Sequence, residues 1–306
     1  MMLLAMPDLD LVGIVVTPAD CFLRPAVSAS LKVLRFFDRL DIELCEGALH
    51  GVNSFPRAWR AHAYAVDALP ILNELKAEAK SDAPQANMLR PGTLSAASSE
   101  PGHKFIARKL RQAAEPLTIL ITGPVSNLAA VLEAEPELAA NIEEVVWMGG
   151  ALQVPGNVSD YEHDGSAEWN AYWDPPATHS LWQSGVPLTL FSLDSTNTVP
   201  VTLDFLHRLA QQRCHPLSDL AGQGWALTVG TLPAYEYTYH MWDTLTTGYL
   251  GGPQFITFRE VRTEAVPHGP SAGRIKEVSS GGKLVKVADH VDVAGFHNYL
   301  LELFRR

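Results

Sequence analysis

The stretch GSAEWNAYWDPP, residues 165 to 176, carries the first candidates for chemistry. Glu168 and Asn170 stand on alternate positions around Trp169. In an extended segment both side chains point the same way, and a carboxylate with an amide can jointly hold vicinal hydroxyls, which is sugar-binding chemistry. A structural reading competes: Asp174 ahead of Pro175 fits a helix N-cap with proline at the first helical position. That cap accounts for Asp174 and leaves Glu168 and Asn170 without a role. In YHMWDTLTTGYL, Asp243 follows Trp242 at the start of an expected helix, where it is either an N-cap or a free carboxylate. Asp20 in TPADC can be an ordinary turn residue, and Trp59 in FPRAWR can belong to the core. In TGPVSN, Ser126 or Asn127 can start the following helix. His50, His163 and His240 show no metal-ligand spacing and read as loop or surface residues. No GxGxxG, Walker or GxSxG pattern occurs, which removes support for nucleotide phosphate binding of those kinds and for serine hydrolysis.

The elements that must position these residues are β-rich apolar runs alternating with helical segments. LDLVGIVV, PLTILITG, IEEVVWMGG and VPLTLFSLD read as strands, and AVSASLKVLRFFDRL as a helix, a pattern that predicts a mainly parallel α/β sheet flanked by helices. LEAEPELAANIEE reads as a helix end and a short connection. Lys80 to His103, rich in Ser, Pro, Gly and Ala, reads as a loop, and the segments on either side share one pattern, so residues 1–306 are expected to form a single domain. Polar and glycine residues cluster where the strands end: TPADC, TGPVSN, GGALQVPGN and LDSTNT. In open α/β sheets the ligand lies outside the carboxyl ends of the strands, so these four turns are expected to line one pocket.

Composition narrows the classes. With 306 residues and 47% apolar content, the chain can bury a large core. A formal charge of -11 argues against nucleic acid or an anionic membrane as partner. Three cysteines, Cys21, Cys45 and Cys214, suit neither a disulfide framework nor a zinc site, and a reducing cytoplasm is the expected location. The opening MMLLAM is far shorter than the roughly eighteen apolar residues of a membrane span and lacks a signal peptide's charged start. It reads as the last turns of a buried helix stopped by Pro7 and Asp8, followed by a strand from Leu9 to Val16.

Taken in order, TPADCF, GVNSFPRAWR, VDALPILN, TGPVSN, MGGALQVPGNV, GSAEWNAYWDP, SLDSTNTVPV and WDTLTTGYL resemble segments of the nucleoside hydrolases, and in particular the purine-preferring inosine-adenosine-guanosine branch. The resemblance runs from Leu9 nearly to the C-terminus. It implies an α/β sheet flanked by helices and hydrolysis of the N-glycosidic bond of a ribonucleoside to free base and ribose. By resemblance, the Thr122 carbonyl and the Asp243 carboxylate would bind Ca²⁺. Asn157, Glu168 and Asn170 would hold the ribose beside Met148, and Asp20 would reach the sugar and the leaving base. Trp59 and Trp242 would sandwich a purine. The Trp242-Asp243 pair separates this branch from relatives with histidine before the aspartate. Ala58 departs from it, where a glutamate can meet the 5′ hydroxyl.

The resemblance also implies a strand with a DxDxxxDD-like aspartate cluster ahead of the helix that ends in MMLLAM, supplying most calcium ligands and the general base. The sequence contains no such cluster, so the first strand is expected to be missing and calcium binding to be weak or absent. Two functional readings follow: a nucleoside hydrolase, or a catalytically impaired nucleoside-binding protein. A homo-oligomer is expected by resemblance.

Overall fold

The computed structural model describes residues 1–73, 97–231 and 238–306. In chain order the elements are α1 (Met2–Ala5), β1 (Ile14–Val16), α2 (Leu23–Phe36), β2 (Leu44–Glu46), α3 (Arg57–Arg60), α4 (His62–Asp67), α5 (Pro70–Asn73), α6 (Gly102–Gln112), β3 (Leu117–Ile121), α7 (Ser126–Ala134), β4 (Ile142–Met148), α8 (Trp169–Tyr172), α9 (Pro175–Gln183), β5 (Leu188–Phe191) and α10 (Leu193–Thr196). They continue as α11 (Leu203–Gln211), α12 (Pro216–Thr231), α13 (Trp242–Gly248), β6 (Ile256–Ala265), β7 (Ile275–Glu277), β8 (Lys283–Val291) and α14 (Val293–Leu303). The connection after α7 is a 3-10 turn, Pro136–Asn141. Of the loop expected over residues 80 to 103, residues 80–96 lie outside the described residues.

The main sheet has the order β3-β4-β5-β8-β6-β7. Its first four strands are parallel, with Val145 opposite Leu188 and Leu190 opposite Val287. β6 runs antiparallel to both β8 and β7, an edge that the strand-helix alternation did not reveal. Because side chains alternate across a strand, β4 and β5 serve two cores. Val145, Trp147 and Leu190 face one side, against Leu128 of α7 and Leu181 of α9. Val146 and Phe191 face the other, against Phe205, Leu245 and Phe296. The first helix joins this second core through Met2, Ala5 and Met6, and the Arg306 guanidinium donates to the Ala5 carbonyl at 2.8 Å.

Two expectations need correction. The strand predicted over Leu9 to Val16 is only Ile14–Val16, because β2 offers partners to three residues alone. Just before it, Gly13 lies under the Phe105 ring, where a Cβ would come within 2.4 Å of a ring carbon. The strands also do not form one sheet. β1 and β2 pair as a separate parallel ribbon, and among the described residues β1 and β3 each have a ladder partner on one side only.

What joins the ribbon to the main sheet is Asn127, near the start of α7 and almost fully buried. Its amide nitrogen donates to the Thr17 hydroxyl and the Ala48 carbonyl, each at 3.0 Å, and its oxygen accepts from the Ala48 N–H at 3.0 Å. Thr17 follows β1 and Ala48 follows β2, so one side chain fixes both strand ends against α7. Asn127→Ala leaves buried donors and acceptors without partners, each at about 1–3 kcal/mol. Chemical denaturation is expected to show a loss of about 2–3 kcal/mol, and an unchanged midpoint would contradict the joining role.

Candidate active site

β4 ends at Met148 and turns at Gly149 and Gly150, the latter at φ 78°, a conformation that favours glycine. Two side chains close on this turn. Glu168 is the N-cap of α8: one carboxylate oxygen accepts from the Asn170 N–H at 2.9 Å, the other from the Gly150 N–H at 3.0 Å and the Ala171 N–H at 3.4 Å. Asn170 donates its side-chain amide to the Met148 carbonyl at 3.1 Å. The pair therefore converges, but not as an extended segment predicts. Asn170 lies in α8, and it meets Glu168 because both reach back to the end of β4. Asn157 extends the group, its side-chain oxygen accepting from the Trp169 N–H at 3.0 Å.

The cap readings separate cleanly. Asp174 does cap α9, accepting from the Ala177 N–H at 3.2 Å ahead of Pro175. Asp243 does not cap α13; the cap position is Met241 and no side chain fills it. Ser126 starts α7, as expected, with Val125 in the cap position, and its hydroxyl donates to Asp174 at 2.5 Å.

Asp20 and Asp243 have solvent-accessible surface, yet protein surrounds each closely enough to disfavour its ionised form. Crowding by protein atoms, rather than exclusion from solvent, governs their titration. Burial raises Asp20 above the usual carboxylate range, opposed by hydrogen bonds from Cys21 and its own backbone and by the positive fields of His62 and Arg60. Burial raises Asp243 well above that range, and the negative charges of Asp20 and Glu168 raise it further. Burial pushes Glu168 up to about 7 despite its three N–H donors. Asp243 thus lies within the electrostatic reach of both Asp20 and Glu168.

Aromatic surface borders it. The Trp242 indole N–H donates to the Asn197 side-chain oxygen at 2.8 Å, and the ring packs with Met148, Ala151 and Leu193. Trp59 is 47% exposed and meets Phe55 edge-on at 5.3 Å, and Phe55 in turn meets Trp169 at 5.1 Å and Trp173 at 5.6 Å. Each indole is therefore tied to the residues around the end of β4 and the start of α8, Trp242 through Met148 and Trp59 through Phe55 and Trp169. Among the described residues the two are not in ring contact with one another.

Several supporting residues escaped the sequence reading. Asp194 takes the N–H groups of Leu152 and Gln153 at 2.9 and 2.8 Å and the Ser192 hydroxyl at 2.8 Å, pinning the loop after β4 to the loop after β5. Phe55 is an aromatic hub with no motif of its own. His163 lies in a loop, as expected, but its ring is buried, with Nδ1 accepting from the Gly165 N–H at 3.0 Å and Nε2 at 2.9 Å from the Ala272 carbonyl.

The residues described do not make a calcium site. Calcium takes about six to eight oxygens, and the resemblance offers only the Asp243 carboxylate and the Thr122 carbonyl toward them. Among the described residues no three His, Cys, Asp or Glu side chains gather closely enough to hold a metal ion. Among the described residues, too, no helix is long and apolar enough to cross a membrane.

Comparison with known proteins gives a consistent picture. The profile of the inosine-uridine preferring nucleoside hydrolases matches residues 1–298. The pyrimidine-specific ribonucleoside hydrolase RihA of Escherichia coli O9:H4 (strain HS) is 29% identical over 205 residues, which are 67% of this chain and 58% of that protein. The chain thus spans less than two thirds of the length of the curated relatives it matches. The crystal structure of an inosine-uridine preferring nucleoside hydrolase from Bacillus anthracis superposes with a TM-score of 0.86 at 35% identity, covering 99% of this chain and 93% of that one. A purine-preferring ribonucleoside hydrolase from Gardnerella vaginalis shares the fold, with a TM-score of 0.75 at 21% identity over 99% of this chain and 92% of that one.

The Glu168 shift has a measurable consequence. Its carboxyl holds a proton in the folded state up to about pH 7, against an ordinary value of 4.5. Between those values the folded protein binds more protons than the unfolded chain, so this group's stability contribution is complete below the window and is lost as pH rises through it. Glu168→Gln is expected to remove a fall of about 3 kcal/mol across the window, measured by urea denaturation at pH values on either side. Parallel stability curves for the two proteins would contradict the assignment.

Proposed function

This chain belongs to the inosine-uridine preferring nucleoside hydrolase family, and from that premise we propose that its cleft binds a purine ribonucleoside and hydrolyses the N-glycosidic bond to free base and ribose. The observation that carries the reading is the meeting of Asp20, Glu168 and Asp243 in one desolvated cleft beside Trp242 and Met148.

Cleavage of the bond between C1′ and the base passes through an oxocarbenium-like state, in which positive charge develops on the sugar. Carboxylates fixed in a low-dielectric cleft stabilise that charge more strongly than water does. Glu168 is held in place by three backbone donors, so it meets the developing charge without reorganising. The Asn170 and Asn157 side chains, also fixed by backbone contacts, orient ribose hydroxyls. The electron pair of the broken bond leaves with the base, which must be protonated. Asp20, shifted toward its protonated form, suits the donor role. A water adds to C1′ and passes its proton to an ionised carboxylate of the group, which restores the proton balance. Indole stacking contributes about 1–3 kcal/mol per base and favours the protonated, departing ring.

The thin donor set for calcium supports a second reading, a nucleoside-binding protein without turnover. Free-base release from inosine and from uridine, with inosine binding followed by calorimetry, separates the readings. Faster release from inosine is the expected result. Binding without release supports the second reading, and neither binding nor release would overturn both. Trp242→Ala is expected to lower purine turnover about tenfold or more, with Trp242→Phe retaining most of it, and unchanged turnover in Trp242→Ala would remove the stacking role.

A further inference from the structure

On the far side of the Asp20 loop lies a second cavity of about 790 Å³, lined by Phe22, Leu23, Arg24, Pro25, Arg57, Ala58, Ala61 and Tyr64. Its size falls within the range of small-molecule sites. Its chemistry differs from that of the carboxylate cleft. The Phe22 ring is flanked by the guanidinium groups of Arg57 at 5.4 Å and Arg60 at 4.9 Å and meets the Tyr64 ring at 5.9 Å.

Arg39, Arg108, Arg111, Arg208, Arg259 and Arg305 each reach a carboxylate. Among the described residues Arg24, Arg57 and Arg60 have no ion pair and no side-chain hydrogen bond, and the Arg60 Nε atom is buried without a partner. In a protein of formal charge -11, the Arg24 and Arg57 side chains that line this cavity, with Arg60 over the neighbouring Phe22 ring, form a local positive field. Guanidinium forks match phosphate oxygens, and the exposed Tyr64 ring offers a flat aromatic surface beside them.

We propose that this cavity is a second ligand site, selective for an organic phosphate carried on a planar ring, the chemical class of a nucleoside monophosphate. Its lining includes none of Asp20, Glu168, Asp243 and Trp242, and its occupancy does not depend on turnover in the cleft.

Calorimetric titration tests the site with three probes, adenosine 5′-monophosphate, adenosine and inorganic phosphate, each in the presence of a saturating carbon-linked purine nucleoside analogue, which has no N-glycosidic bond to hydrolyse, so that the cleft is not counted. The monophosphate is expected to bind at least about tenfold more tightly than either of the other two, with affinity falling as salt rises. Arg24→Glu and Arg57→Glu are each expected to weaken it about tenfold or more, with unchanged melting temperature showing that the fold is kept. Tyr64→Ala is expected to weaken the monophosphate and leave phosphate unchanged. Equal binding of adenosine and its monophosphate, equal binding of inorganic phosphate and the monophosphate, or arginine variants indistinguishable from the parent would each overturn the proposal. None of these outcomes depends on whether inosine is hydrolysed.

Discussion

Like charges in a desolvated cleft cannot all ionise together, and Asp20, Glu168 and Asp243 occupy one such cleft. Their grouping is unfavourable unless something fixes each carboxyl group and shares out its protons. Glu168 shows how: its burial disfavours the anion, and three backbone N–H groups partly offset that cost. The same three bonds start α8 and hold the turn after β4. Structure and electrostatics are therefore coupled at a single side chain, and a change there disturbs the strand end as well as the charge.

Around this constraint the loops are tied by side chains rather than by regular structure. Asp194 binds the loop after β4 to the one after β5. Ser126 and Asp174 connect the start of α7 to the start of α9. Asn127 fixes the ends of β1 and β2, and so the loop that carries Asp20, against α7. Each tie spans segments distant in sequence, and each lies at the carboxyl end of a strand, where an open α/β sheet presents its ligands. Catalytic geometry requires placement to a fraction of an ångström, and buried side-chain hydrogen bonds supply that rigidity where loops alone do not.

Much of this was legible in the sequence because it follows from local pattern. The apolar runs gave β3, β4 and β5, and the polar turns after them mark the cleft. Asp174 before Pro175 was readable as a cap because capping is a local interaction. The misses are tertiary. Asn170 lies in a helix that no pattern over four residues can announce, and it meets Glu168 only through the end of β4. The antiparallel pairing of β6 with β8 depends on contacts between distant segments. Asn127, Asp194 and Phe55 do their work across gaps of forty residues or more, or through a ring hub, and neither leaves a spacing signature. The ribbon of β1 and β2 stands apart from the main sheet for the same reason: strand order is a property of the assembled fold.

The account rests on the three carboxyl groups acting as one electrostatic unit, and site-resolved carbon-13 titration of the aspartate carboxyls tests it most directly. Asp243 should titrate well above the usual carboxylate range in the parent protein and move downward in Asp20→Asn, because removing one negative neighbour makes its ionisation easier. An Asp243 that titrates in the ordinary range and does not respond to Asp20→Asn would show that the groups do not share a cleft, and the functional reading built on it would fall.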